Sequence, residues 1–521
     1  MSESVEAIPK GVRVNALNRL ADRASDRFNP ILVKELRQAV RGRLFPIAFG
    51  VILLILTMTT VVALLSSTES VGLRGVGRGT FLGMYTTLGI ALFGLVPFAS
   101  FASLGGEWEE NTFDLLVLSN LRPGHLIRGR LLSAAVQALL YLAVFAPFFA
   151  CAYLLLGIDL LAMLMVLGVS ILWSLALSML ALTFSSLARQ RFMRVVLMVC
   201  LGGCLAMGFG LAMEGAEDLV RRPGDLHRFP FWRDVLTGAG VCFYFMSLLY
   251  CIACNQLSHP EENRSTNLRV VTTLATLGIP IIFGLVLANP PSGTSIRPDD
   301  LSGLFIALAA FVVAIPSILF VTEPNGLGRR VARWVPGHGG LAICVVPWLP
   351  GGGRGALFLL LHLGILMVAY PVVGALAFGF DLSDLSDNGL FVFYGSCLYL
   401  TSYLLVPAGI LRTRQTSTVK IVATRCLILI SPLLAFLIPS LVLLLVGDFN
   451  DGAIWHPGNV IGFAEANWNE LGDHASWGLM IIVASLGVFI NLPRMIRSVA
   501  EVQRLRTLDP SLPPPSTGDP S

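Results

Sequence analysis

Windows of about twenty nearly uncharged, apolar residues recur along the whole chain, and each is long enough to cross the roughly 30 Å hydrocarbon core of a bilayer. Twelve are expected, over residues 44–65, 80–104, 131–157, 160–187, 195–213, 236–257, 270–288, 301–321, 356–378, 390–411, 422–445 and 478–490 with a few flanking residues. The fifth and twelfth are the shortest. Only 13% of the 521 residues are charged, about half the roughly 25% of a soluble domain. That excludes a disordered chain, a collagen-like repeat and an ordinary water-soluble enzyme. The fold class is therefore all-α, a polytopic membrane protein. Four regions follow: a polar segment 1–43, six spans over 44–257, six more over 258–496, and a Pro/Ser-rich tail over 497–521, expected to be disordered from Leu508 onward.

The net charge of +4 matters less than where the cations lie. With the N-terminus in the cytoplasm, 29 of the 36 Lys and Arg fall on the cytoplasmic side and 7 on the other. That is the positive-inside bias, and it places both termini inside. The first 43 residues hold no short apolar stretch before a small-residue cleavage site, so no cleavable signal is expected. The nine cysteines fall in or beside apolar runs. Cys251 and Cys254 have CxxC spacing but sit inside a hydrophobic helix, and they read as packing residues rather than as a redox or zinc motif.

Two polar segments carry the chemistry. Before the first span stands NPILVKELRQAVRGR, residues 29–43. Asn29 suits an N-cap and Pro30 the first helical position. Leu32, Val33, Leu36 and Val40 share one face, while Lys34, Arg37 and Arg41 lie on another. This reads as an amphipathic helix at the cytoplasmic membrane surface, with its cations near anionic headgroups. Between spans 2 and 3 runs GGEWEENTFDLLVLSNLRPGHLIRGR, residues 105–130, a cytoplasmic loop dense in carboxylates: Glu107, Glu109, Glu110 and Asp114. Its apolar run 115–118 is too short to span and is followed by a Pro-Gly break, which fits a short helix–turn–helix docking surface.

Together these segments resemble the permease subunits of type-2 ABC exporters, over about residues 28–257. The matching loop positions are Glu110, Asn111, Thr112, Leu115, Leu116, Pro123, Gly129 and Arg130. The family more often has Gly where Asn111 stands and Lys where Arg130 stands. The resemblance implies a membrane-spanning permease of the bacterial inner membrane that moves its substrate, in the export direction, with ATP hydrolysed on a separate ABC ATPase subunit. It implies that loop 107–130 touches that ATPase and transmits its motion. Glu107, Glu110, Asn111, Thr112, Leu116, Pro123 and Arg130 would form the coupling loop. Asn29, Pro30, Lys34, Glu35 and Arg37 would position the interfacial helix. ATP and Mg would belong to the partner subunit, with no cofactor, metal or catalytic residue in this chain. Membrane lipid and a second permease chain, identical or different, are the other expected partners; nucleic acid is not one.

A P-loop needs Gly-Lys-Ser/Thr to cradle phosphate. Lys10, Lys34 and Lys420 are the only lysines, none is followed by Ser or Thr, and the glycine run at 351–355 contains no lysine. The second six spans restart from the inside and repeat the orientation of the first six, which leaves a parallel duplication open. Loop 322–355 would then take the place of the acidic loop. It is instead basic and Gly/Pro-rich, with Arg329, Arg330 and Arg333, and resembles nothing in the first half.

Two other classes stay open. One is an ATP-independent secondary carrier. Ion coupling uses ionisable groups mid-membrane, and here the spans are nearly free of charge, with His362 the main exception and Asp381 and Arg425 at span ends, which speaks against coupling by buried carboxylates and leaves facilitated diffusion open. A core histidine is the plainer reading of His362. An outer-face enzyme would use loop 447–477, with Asp448, Asp451, His456, Glu465, Glu470, Asp473 and His474. Its two histidines are 18 residues apart with no cation nearby, so a solvated acidic cap, anchored by Trp455, Trp468 and Trp477 at the interface, is the plainer reading.

Overall fold

The computed structural model describes residues 30–41, 44–69, 73–109, 123–154, 158–188, 191–221, 229–258, 263, 265–287, 298–324, 326–327, 329–332, 335–336, 338–377, 389–410, 418–446 and 474–507. Among them the chain is helical with no strand, and twelve helices are long and apolar enough to cross a membrane. It is a multi-pass membrane protein. Outward faces such as Ile47, Leu54 and Val62 of the first span are more than half exposed, an arrangement lipid tolerates and water does not.

The chain divides into two compact units, Met1–Ser258 and His259–Ser521. In the first, α1 (Pro30–Arg41) precedes six spans. These are α2 (Leu44–Glu69); α3 (Leu73–Gly89), continued through a π-helical segment Ile90–Leu95 into α4 (Val96–Glu109); α5 (Pro123–Leu154); α6 (Leu160–Leu187); α7 (Arg191–Arg221); and α8 (Phe229–Leu257). The fifth span is a 31-residue helix, much longer than the expected 195–213.

Span 2 shows how sequence shapes these elements. Pro97 has no N–H to continue the ladder. Just before it, Val96 N–H bonds back five residues to the Ala91 carbonyl, and the helix widens into the π segment. Pro97 therefore leaves the next carbonyl, Leu92, without a backbone donor. Ser174 Oγ of span 4 donates to it at 2.6 Å. Span 4 stitches the unit together in this way along its length. Ser185 donates to the Phe101 carbonyl at 2.8 Å, Trp173 to Gly208 at 2.9 Å, and Tyr85 and Ser170 share a bond of 2.7 Å. In lipid, where apolar contact with a neighbouring helix displaces only apolar contact with tails, such bonds and close packing hold helices together. The core aromatics Phe81, Phe145 and Phe149 fill the remaining space.

The second unit holds α9 (Thr266–Leu287); α10 (Pro298–Ala307), a π segment Leu308–Ala314 and α11 (Ile315–Val321); short helices α12 (Arg329–Ala332) and α13 (Gly339–Val345) with a 3-10 turn Val346–Trp348; then α14 (Gly352–Ala377), α15 (Gly389–Ile410), α16 (Thr418–Val446) and α17 (His474–Thr507). Asn263 Oδ1 caps α9 through Thr266 N–H at 3.2 Å. Spans 10 and 12 pack closely because Gly409 and Gly487 face each other's helices, and Asn491 Nδ2 donates to the Leu405 carbonyl at 2.7 Å.

The largest departure from the expected bounds is at the C-terminal end. The twelfth span is a 34-residue helix, about 51 Å long at 1.5 Å per residue. It overshoots the hydrocarbon core by several turns and continues through residues 497–507, the part of the expected tail that precedes Leu508. In loop 322–355, α12, α13 and the 3-10 turn, with Val331, Ala342, Val346 and Leu349, pack their apolar side onto Val499 and Val502 of the last helix.

Candidate functional site

The helix expected over 29–43 forms over Pro30–Arg41 and docks on span 3, as well as on the first span. Leu32 is buried against the unit, while Lys34 and Arg37 are exposed. The structure thus gives the helix a protein partner where the sequence offered only a membrane surface. The two ends of loop 107–130 extend the flanking spans, α4 running to Glu109 and α5 starting at Pro123. Asn29, Glu110, Asn111, Thr112 and Leu116 lie outside the described residues.

Around these ends the residues singled out by sequence converge. Arg130, 1% exposed, stands 3.3 Å from Glu107 and 3.5 Å from Glu35. Lys34 closes the group from the rim, its Nζ 2.8 Å from Glu107 Oε1. Among the described residues, two carboxylates and two cations from three elements meet here. Charge balance is what allows Arg130 to be buried, since an unpaired guanidinium there would carry its whole desolvation cost. Burial pushes the Glu35 carboxyl above its ordinary pKa, and Arg130 and Lys34 pull against that shift. At 3.3 and 3.5 Å the guanidinium lies against its carboxylates without forming aligned hydrogen bonds. The pairing is electrostatic and geometrically loose.

Pro123 and Gly124 open span 3. A Cβ on Gly124 would lie 2.6 Å from the Tyr250 hydroxyl, which donates to the Gly124 carbonyl at 3.4 Å. The loop's exit is thereby pinned to span 6. Tyr250 directly precedes the Cys251–Cys254 pair, and no local pattern in the sequence marks it. Cys251 and Cys254 are both free thiols.

A second buried cluster, absent from the sequence reading, sits in the second unit. Arg269 is wholly buried at the start of span 7. One guanidinium nitrogen donates to the Pro347 and Leu349 carbonyls at 2.7 Å each, and the other to Glu323 at 2.8 Å and Gly351 at 3.2 Å. Arg354, also wholly buried, meets Glu501 of the last helix at 2.6 Å. Glu323 further accepts from Ser265 and from Gly351 N–H. The glycine run before span 9 is a packing device. Gly351 has φ +134°, and Cβ atoms on Gly352, Gly353 or Gly355 would run into the Glu323 carbonyl, the backbone at Arg494 and the backbone at Phe320. The recoverable signal was an acid ending span 8 and an Arg opening span 9, as Glu107 and Arg130 do in the first half.

His362 is buried and satisfied. Its Nδ1–H donates to the Phe358 carbonyl at 2.8 Å, and Nε2 faces the Thr273 hydroxyl at 2.8 Å, which accepts from Trp348 at 2.9 Å. It reads as a core residue. Arg425 donates to Thr322 at 3.0 Å. Asp381 and loop 447–473 lie outside the described residues. Among the described residues no three His, Cys, Asp or Glu side chains gather as metal ligands.

Compared with models of known families, with curated proteins and with solved structures, the chain matches none.

Proposed function

We propose that this chain is the membrane-spanning permease of an ATP-binding cassette exporter of the bacterial inner membrane, driven by ATPase subunits encoded separately. The observation that carries the reading is the convergence of α1, the end of span 2 and the start of span 3 on the buried Glu35–Glu107–Arg130 cluster. These are the segments on which the resemblance rests, and it assigns them to coupling.

The mechanism follows from continuity. The loop lies on the cytoplasmic side, and both of its ends are helical extensions of spans 2 and 3. ATP-driven closure of the ATPases pushes on the loop, and a helix transmits an axial push without buckling because its backbone bonds run along it. Arg130 attracts Glu35 of α1, and the packing of α1 on span 3 carries the interfacial helix along with that span. The π segment of span 2 is where that motion is absorbed, since its hydrogen-bond ladder is already broken at Pro97. Glu107 and Arg130 are positioning residues here; Glu110, Asn111, Thr112 and Leu116 are the proposed contacts to the ATPase.

Affinity purification of the tagged chain in mild detergent, with mass spectrometry of what accompanies it, tests this reading. A P-loop ATPase in stoichiometric amount is expected, and it is lost when Glu110→Lys and Thr112→Ala are introduced into an inserted chain. The intact chain emerging alone under several detergents and crosslinking conditions would overturn the reading.

A further inference from the structure

We infer that the second unit is a complete permease half built on the same plan as the first, and that its Arg269–Glu323–Arg354–Glu501 cluster holds a second ATPase-coupling loop. One copy of this chain then engages two ATPase copies. The inference rests on the permease reading above.

Three independent observations carry it. The first is helix packing. In the first unit, span 1 packs on spans 2 and 3; span 2 on 3, 4 and 5; span 3 on 4 and 6; and span 4 on 5 and 6. Numbered from its own first helix, the second unit packs the same pairs: span 7 on 8 and 9; span 8 on 9, 10 and 11; span 9 on 10 and 12; span 10 on 11 and 12. Six helices can be packed in many ways, and the pairing by itself makes the units copies of one architecture.

The second is a defect repeated in place. The second span of each unit widens into a π segment, Ile90–Leu95 and Leu308–Ala314. Each ends two residues before a proline, with Val96 N–H bonding back to Ala91 and Ile315 N–H to Ala310, followed by Pro97 and Pro316. π segments are rare and gather at functional positions.

The third is electrostatic. In each unit an acid stands at the end of the π-interrupted span, Glu107 in its last turn or Glu323 two residues beyond it, and a buried Arg lies near the start of the third, Arg130 or Arg354. A Pro-Gly step precedes each Arg, at Pro123-Gly124 and Pro350-Gly351, and a Gly stands directly before it. A further acid from outside these two spans completes each group: Glu35 of α1 in the first unit, Glu501 of the last helix in the second. The long C-terminal helix, which overshoots the membrane, thus does for loop 323–354 what α1 does for loop 107–130. Loop sequence has diverged while each node keeps two acids around a buried Arg; the pairing differs, since Glu107 meets Arg130 and Lys34 whereas Glu323 meets Arg269 of span 7.

Native mass spectrometry of the chain with its co-expressed, copurifying ATPase in nanodiscs tests the stoichiometry. One chain with two ATPase copies is expected. Photo-crosslinking tests the sites: the exposed residues His125 and His338, one in each loop region, are replaced singly by a photoreactive amino acid, and each variant is expected to crosslink to the ATPase. A complex of two chains with two ATPases, or crosslinking from position 125 alone, overturns the inference and leaves the permease reading standing. A complex with no ATPase overturns both.

Discussion

Arg130 is a buried charge that depends on two carboxylates from different elements. Removing one member of such a group costs about 3–5 kcal/mol, because the remaining charge stays buried without its counter-ion. Glu107→Ala is expected to lower the melting temperature in detergent well below that of Arg37→Ala, whose side chain is exposed; equal melting would show that the cluster is not buried as described. Glu35 adds a pH dependence. Its pKa is raised by burial, so the folded protein holds that proton more tightly than the unfolded chain does. Its contribution to stability therefore falls as pH rises from about 4, the ordinary Glu value, through the raised value, and is flat above it. Melting temperatures of the wild type and Glu35→Gln, taken across that window, should show the wild type losing ground relative to the variant with rising pH. Parallel curves would remove Glu35 from the cluster.

Prolines and glycines set the elements. Pro97 leaves the Leu92 carbonyl to Ser174, so Ser174→Ala is expected to destabilise by about 1 kcal/mol, the usual size of a side-chain bond between membrane helices. Ser174→Thr, which keeps the hydroxyl, should recover most of it, and identical melting of all three proteins would contradict the assignment. At the opening of span 9 the backbone of Gly355 lies against Phe320, leaving no space for a methyl group. Gly355→Ala should cost about 1–3 kcal/mol through displaced backbone. Gly364→Ala in the same helix meets nothing within 4 Å and should be neutral. Equal yields of folded, inserted protein from both variants would refute this account of the glycine run.

For the whole molecule, the membrane architecture was legible because lipid imposes length and hydrophobicity on every span, and two spans, 160–187 and 301–321, fall where the sequence put them. The helix starts were shifted where polar residues such as Pro123–Arg130 form helical turns beyond the apolar window, which hydropathy cannot register. The last helix was cut short for the same reason, its outer turns being rich in Arg. Glu35, Glu107 and Arg130 were each marked by sequence, but their meeting was not, because partners 23 to 95 residues apart leave no local spacing. Arg269 was invisible altogether: a single Arg at a span end looks like an ordinary topology signal until its carbonyl partners from a distant loop are seen.

In the proposed permease the Glu35–Glu107–Arg130 junction joins ATPase motion to the membrane helices. That coupling is tested most directly by steady-state ATP hydrolysis of the chain–ATPase complex in proteoliposomes, wild type against Glu107→Gln, with complex assembly verified for both. The Glu107→Gln variant is expected still to bind its ATPase while hydrolysis falls to the rate of the ATPase alone. Hydrolysis at the wild-type rate by an assembled Glu107→Gln complex would contradict it.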